Sequence, residues 1–184
     1  IGDIIERLRA DAVQAEADAT RADPLGEALS RCESGARGPG APAAALAGCG
    51  DALESGALSE AVRAGALANR AELSLRAADA STARRDLLEA AELAPDNAAI
   101  QVNLAAALIR ARDAVAAEDA ARAALKMNGV GAAEAWFNLA VALERQSDYD
   151  AAYEAYVEAA ALKPDNAVFA AQPRRFRRHG DQET

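Results

Sequence analysis

From Ala64 onward, apolar residues fall at i, i+3, i+4 and i+7, the spacing of helices with one buried face. Two kinds of polar break interrupt them. Ala78-Asp79, Arg112-Asp113 and Ser147-Asp148 form one kind, and Pro-Asp-Asn at 95–97 and 164–166 forms the other. They alternate, so the pattern predicts helix pairs over 64–97, 98–132 and 133–166, each closed by a short turn. Alternating runs of Val, Ile, Thr and aromatics are missing, which makes the chain all-α.

The pairs share a ruler of about 34 residues. Counted from Ala133, the residues Trp136, Leu139, Ala140, Leu143, Ala152, Tyr156, Ala159 and Pro164 stand at positions 4, 7, 8, 11, 20, 24, 27 and 32. The unit from Ala98 repeats this with Leu104, Ala105, Leu108, Ala117, Ala121 and Ala124, but has Gly129 in place of the proline and one extra residue. The unit from Ala64 keeps Leu67, Ala71, Ala83, Leu87, Ala90 and Pro95. Its first helix reads as weak, because Arg70 and Ser74 stand where large apolar residues are expected. Small residues at 8, 20 and 27 let helices approach to about 8–10 Å, and large ones fill the seams. Proline at 32 ends the second helix. A sustained heptad, the coiled-coil alternative, is broken by every Pro-Asp-Asn.

This ruler resembles that of the tetratricopeptide repeat. The resemblance implies a right-handed α-solenoid of antiparallel helix pairs, with three full repeats and a leading partial one. It also implies a concave groove lined by the first helix of each pair, where similar proteins hold peptides against positions 2, 5, 6, 9, 12 and 13.

Residues 23–63 read as the partial repeat. Ala45, Cys49 and Ala52 reproduce the 20, 24, 27 spacing, placing a second helix over 42–54. Asp23 and Pro24 start its partner, expected to run to about Cys32 before the loop "ESGARGPGAP". Ile1, Ile4, Ile5 and Leu8 recur at helical spacing ahead of a polar stretch, so 1–22 reads as a capping or docking helix with a linker. Residues 167–184 read as a C-terminal cap and basic tail. Because the chain starts at Ile1 rather than at methionine, an earlier segment is expected to have been removed.

Cys32 and Cys49 fall in one hairpin. A bridge there closes a loop of about 16 residues and adds roughly 3 kcal/mol by the chain-entropy model; two buried thiols fit the spacing equally. The run from Cys49 through Ala52-Leu53, Ser55-Gly56 and Leu58-Ser59 to Asn69-Arg70-Ala71 is similar to secreted bacterial tetratricopeptide proteins. That resemblance implies a Cys32–Cys49 disulfide and a periplasmic or secreted location, where disulfides persist.

Charge and chemistry narrow the function. The net charge of −9 argues against nucleic acid or an anionic membrane as the main partner. No apolar run approaches the roughly 20 residues that span a bilayer. The only histidine is His179, so no histidine-based triad or metal set can form, and no cofactor motif is present. The chain reads as a non-catalytic protein-binding scaffold or, alternatively, as a structural accessory subunit of a larger envelope or membrane complex or enzyme. Nothing in the pattern sets an oligomeric state.

The groove positions hold Ala68, Asn69, Glu72 and Leu75 in the first repeat, and Val102, Asn103, Ala106, Ile109 and Arg110 in the second. The third supplies Glu134, Phe137, Asn138, Val141, Glu144 and Arg145. Asparagine recurs at position 6, where its amide either meets the main chain of an extended ligand or serves local hydrogen bonding. Ala68, Ala99 and Glu134 occupy places where similar proteins carry basic residues that grip a C-terminal carboxylate, so acidic chaperone tails are not the expected ligand. An apolar peptide or amphipathic helix with basic flanks fits better. Arg174, Arg175, Phe176, Arg177 and Arg178 form the tail cluster, which either contacts RNA, lipid or an acidic partner, or is a solvated terminus, or folds back on an acidic neighbour.

Overall fold

A computed structural model of the chain describes residues 23–40, 42–127 and 131–180, with side chains as far as Phe176. The N-terminal segment 1–22, Gly129, and the side chains of Arg177, Arg178 and His179 lie outside the described part. Nine helices run through it: α1 (Pro24–Arg37), α2 (Ala43–Glu54), α3 (Glu60–Arg76), α4 (Ala80–Leu93), α5 (Ala98–Arg110), α6 (Ala114–Lys126), α7 (Ala132–Arg145), α8 (Tyr149–Leu162) and α9 (Ala167–Gly180). No strand occurs among the described residues.

Each element begins and ends for a local reason. Asp79, Asp113 and Asp148 cap α4, α6 and α8, accepting hydrogen bonds from the backbone N–H of Thr82, Ala116 and Ala151 at 3.1, 3.2 and 3.2 Å. The residue before each aspartate (Ala78, Arg112 or Ser147) takes a positive φ of 63–66°, a left-handed conformation that closes the hairpin. Asn97 and Asn166 cap α5 and α9 by accepting from two backbone N–H groups each. The Pro-Asp-Asn breaks therefore stop one pair and start the next.

Packing follows the ruler. The alanines at positions 8, 20 and 27 of all three repeats are buried, with Leu67, Leu87, Leu104, Leu139 and Tyr156 filling the seams around them. Successive helices pack together along the chain, and first helices of neighbouring pairs also touch: α1 with α3, α3 with α5, and α5 with α7. The second helices make no substantial contact with one another. Close first helices and splayed second helices give the stack a concave and a convex side.

Two expectations need correction. Helix α1 does not stop near Cys32 but continues through "ESGAR" to Arg37. Tertiary packing overrides the poor helix propensity there. Ala36 is buried with Cys32, Ala45, Cys49 and Leu73, and Gly35 lies so close to Ala45 that a side chain would collide. Gly48 faces the Ala28 carbonyl in the same way, so the two helices nest backbone to backbone. Cys32 and Cys49 are joined as a disulfide across this contact, with their Cα atoms 4.6 Å apart.

Nor is the first helix of the first repeat a weak element. The Arg70 guanidinium forks onto Asp86 of α4, with Nε donating to Oδ2 at 2.6 Å and Nη2 to Oδ1 at 2.9 Å. Asp86 is fully buried. The signal was present in the sequence as an acid at position 23, opposite the basic residue at position 7.

Candidate ligand groove on the first helices

The expected groove positions on the first helices α3, α5 and α7 divide into an open part and a closed part. On α3 and α5, Asn69, Asn103, Ala106 and Ile109 are half-buried, while Glu72 and Arg110 are exposed. Val141 of α7 continues this strip, half-buried against the core. The amides of Asn69 and Asn103 make no side-chain hydrogen bond among the described residues, so both remain free to donate and accept.

Asn138 behaves differently. It is 9% exposed, and its amide Nδ2 donates to the carbonyl oxygen of Val102 at 3.0 Å. It joins α7 to α5 and does not face a ligand. Val102 is buried with Ala124 and Ala135 and also leaves the surface. The local hydrogen-bonding alternative thus describes position 6 in the third repeat only.

Helix α9 closes the far end of the row. Phe169 stacks on Phe137 with ring centroids 4.7 Å apart, and Tyr156 meets Phe137 edge-on at 5.6 Å. Glu144 accepts from the Tyr156 hydroxyl at 2.8 Å and pairs with Arg175 at 2.6 Å. Burial, reinforced by Glu144, pushes the Tyr156 hydroxyl pKa above its ordinary range, so it stays a neutral donor. Arg145 donates to the Ile109 carbonyl, a second tie between α7 and α5. Phe137, Glu144 and Arg145 therefore serve the stack.

The described part of the basic tail folds back. Arg175, though exposed like Arg174, reaches Glu144 and lies over the rings of Tyr156 and Phe176. Glu134, one of the places where a clamp needs a base, pairs with Lys163. Burial works to raise its carboxyl pKa, but the Lys163 ammonium and its own backbone N–H outweigh that and hold it below the usual range. No described helix is long and apolar enough to cross a membrane. The Glu144–Arg175 pair gives the fold-back of the tail its acidic neighbour, while the Phe137–Phe169 contact, missed from sequence, joins the third repeat to α9, where the ruler has already ended.

Against known proteins, residues 133–166 match the family model of the tetratricopeptide repeat. No curated protein matches the chain in sequence. Among solved structures, the MamA RS-1 ArsTM double mutant is similar at a TM-score of 0.73 and 16% identity, covering 87% of this chain and 86% of that one. The Arabidopsis OM64 TPR domain is similar at a TM-score of 0.62 and 21% identity, over 66% of this chain and 99% of that one. The first TPR of Spaghetti (RPAP3), bound to the HSP90 peptide SRMEEVD, gives 0.60 and 18% over 65% and 94%. At such identities the likeness speaks to fold. Together with the ruler it gives the chain the fold of an α-solenoid of antiparallel helix pairs like those of tetratricopeptide-repeat structures, with residues 133–166 matching the repeat itself. Stacked helix pairs of this kind build extended concave surfaces suited to binding other proteins.

Proposed function

We propose that the chain is a non-catalytic scaffold that holds an extended peptide or an amphipathic helix of a protein partner against α3 and α5. Its contact surface is Asn69, Glu72, Asn103, Ala106 and Ile109, with Val141 at the edge. The observation that carries this reading is the pair of asparagine amides with no side-chain hydrogen bond among the described residues, one repeat apart beside an apolar strip, next to an Asn138 whose amide is tied to Val102. Amides at such spacing suit the main chain of a bound segment, while the strip takes its apolar side chains. The solved RPAP3 domain bound to an HSP90 peptide supports a groove of this fold as a peptide site. The acidic-tail chemistry does not carry over, because Ala68, Ala99 and the paired Glu134 offer no basic grip. Glu72 favours a basic flank on the ligand.

Panning a random peptide library on the immobilised chain tests this reading. Selected peptides bind at roughly micromolar strength, and Ala106→Arg weakens them at least tenfold. Peptides indifferent to Ala106→Arg and to Asn69→Ala with Asn103→Ala contradict it. We further propose a periplasmic or secreted setting; the buried disulfide supports an oxidising compartment. Alkylation of the protein in its native host before lysis, followed by mass measurement, decides: two alkylated thiols refute that location.

A further inference from the structure

A second groove lies on the convex side. Because the second helices α6 and α8 stand apart while α7 fills the space beneath them, a cleft of about 710 Å³ remains between them. Trp136, Leu139 and Leu143 of α7 form its floor, Arg122 of α6 one wall, and Tyr153 and Val157 of α8 the other. Leu139 and Leu143 point about 200° around the helix from Phe137 and Val141, so this cleft is separate from the first-helix groove.

Helix α8 carries two parallel stripes, of which Tyr153 and Val157, and Glu154 and Glu158, line the cleft. Tyr149, Tyr153 and Val157 recur every fourth residue, and Asp150, Glu154 and Glu158 do the same one place later. Tyr149 is 56% exposed and Val157 37%, large surfaces for side chains with no packing task. The three carboxylates meet no cation among the described residues, and Arg122 on the facing wall is already paired with Glu118 at 2.8 Å. The rim is therefore acidic and the floor apolar.

The fold does not demand these stripes. At the places of Tyr149, Tyr153 and Val157 the second repeat has Ala114, Glu118 and Arg122, and the first has Ala80, Arg84 and Leu88. At the places of Asp150, Glu154 and Glu158 they have Val115, Asp119 and Ala123, and Ser81, Arg85 and Glu89. Trp136 is matched by Gln101 and Leu67. The alanines at 8, 20 and 27, which the stack does require, are common to all three repeats.

We propose that this convex cleft binds a basic amphipathic helix of another protein. Its apolar face covers Trp136, Tyr153 and Val157. Lysine or arginine at i, i+4 spacing along one flank meets Glu154 and Glu158, which share that spacing. Residues 1–22 of this chain do not fit the part, since they hold five acids against three bases.

Trp136 is the single tryptophan and sits in the cleft floor, so its fluorescence reads the site directly. The probe is a synthetic helical peptide with leucine on one face and lysine at i, i+4 on one flank. The expected result is a saturable change in emission, weakened at least tenfold by Glu154→Lys with Glu158→Lys and several-fold by Glu154→Gln with Glu158→Gln. Raised salt weakens it, and Ala106→Arg leaves it unchanged. Circular dichroism confirms that each variant remains helical. The proposal is overturned by an absence of saturable change, by equal binding to the charge variants, or by loss with Ala106→Arg. Self-association of the chain without peptide, abolished by the same charge variants, overturns it in favour of a second copy as occupant.

Discussion

In the front half of the stack, Arg70 and Asp86 face each other at positions 7 and 23; in the two later repeats the same places hold Leu104 with Ala120 and Leu139 with Ala155. A long side chain opposite a short one fills the seam in every case, but the front does so with charges and the back with hydrocarbon. The ends differ in the same sense. A disulfide joins α1 to α2, whereas α9 is held by Phe169 and Phe176 against Phe137, Tyr153 and Tyr156. The ruler thus constrains size at each position and leaves polarity open, provided that a polar residue brings its partner. The two solutions fail differently: a buried ion pair that loses one member leaves an uncompensated charge, while an apolar seam loses only contact.

The largest expected effect follows from that contrast. Asp86→Ala leaves the Arg70 guanidinium without its carboxylate and destabilises the chain by about 4 kcal/mol in urea unfolding. Arg70→Leu together with Asp86→Ala recreates the Leu–Ala pairing of the later repeats and restores stability to within about 1 kcal/mol. A double variant as unstable as the single one would break the equivalence of the two halves.

Replacing both cysteines by alanine loosens the front without altering the back. The expected loss is about 3 kcal/mol for a loop of this length, and the transition reported by Trp136 moves less than that seen by circular dichroism. Coincident, unshifted transitions would show that the bridge is dispensable.

The back half was easier to read from sequence, for a physical reason. Its seams are filled by residues whose hydrophobicity reveals their place, so Trp136, Leu139, Leu143 and Tyr156 announced the repeat. The Arg70–Asp86 pair hid because each member alone looks like a surface residue, and only their opposition across a hairpin makes them core. Sequence predicts an end to helix α1 near Cys32 because glycine lowers helix propensity, while the benefit of Gly35 lies in contact with Ala45, a residue on another helix. In the row of first-helix positions, residue type did not distinguish Asn103, which has no side-chain hydrogen bond among the described residues, from Asn138, which is bonded across to Val102. That distinction depends on how far one pair slides along the next.

The same pair of asparagines gives a smaller test. Asn138→Ala costs about 1 kcal/mol because the buried amide tie from α7 to the Val102 carbonyl, additional to that carbonyl's intrahelical bond, is lost, whereas Asn103→Ala stays within about 0.5 kcal/mol. Equal costs would return Asn138 to the groove or place Asn103 in the stack.

The smallest effect is expected at a turn. Hydrogen bonds from Thr82, side chain and backbone, and from Ser81 hold the Asp79 carboxyl at about 2, below its reference value of 3.8. A depressed folded-state pKa means the stabilisation is complete above the reference value and is lost as pH falls through about 2. Asp79→Asn should therefore flatten the acid limb of stability between pH 4 and 2, measured as the urea midpoint. An unchanged acid limb would assign the decline to other carboxylates.

The central claim is that binding lies along the first helices of the front two repeats and not where α9 already packs. Amide hydrogen exchange, read segment by segment with a library-selected peptide added, tests it most directly. The account predicts slowed exchange in 65–75 and 99–110 with no change in α4, α6 and α9. Slowing confined to the second helices or to 167–176 would contradict it.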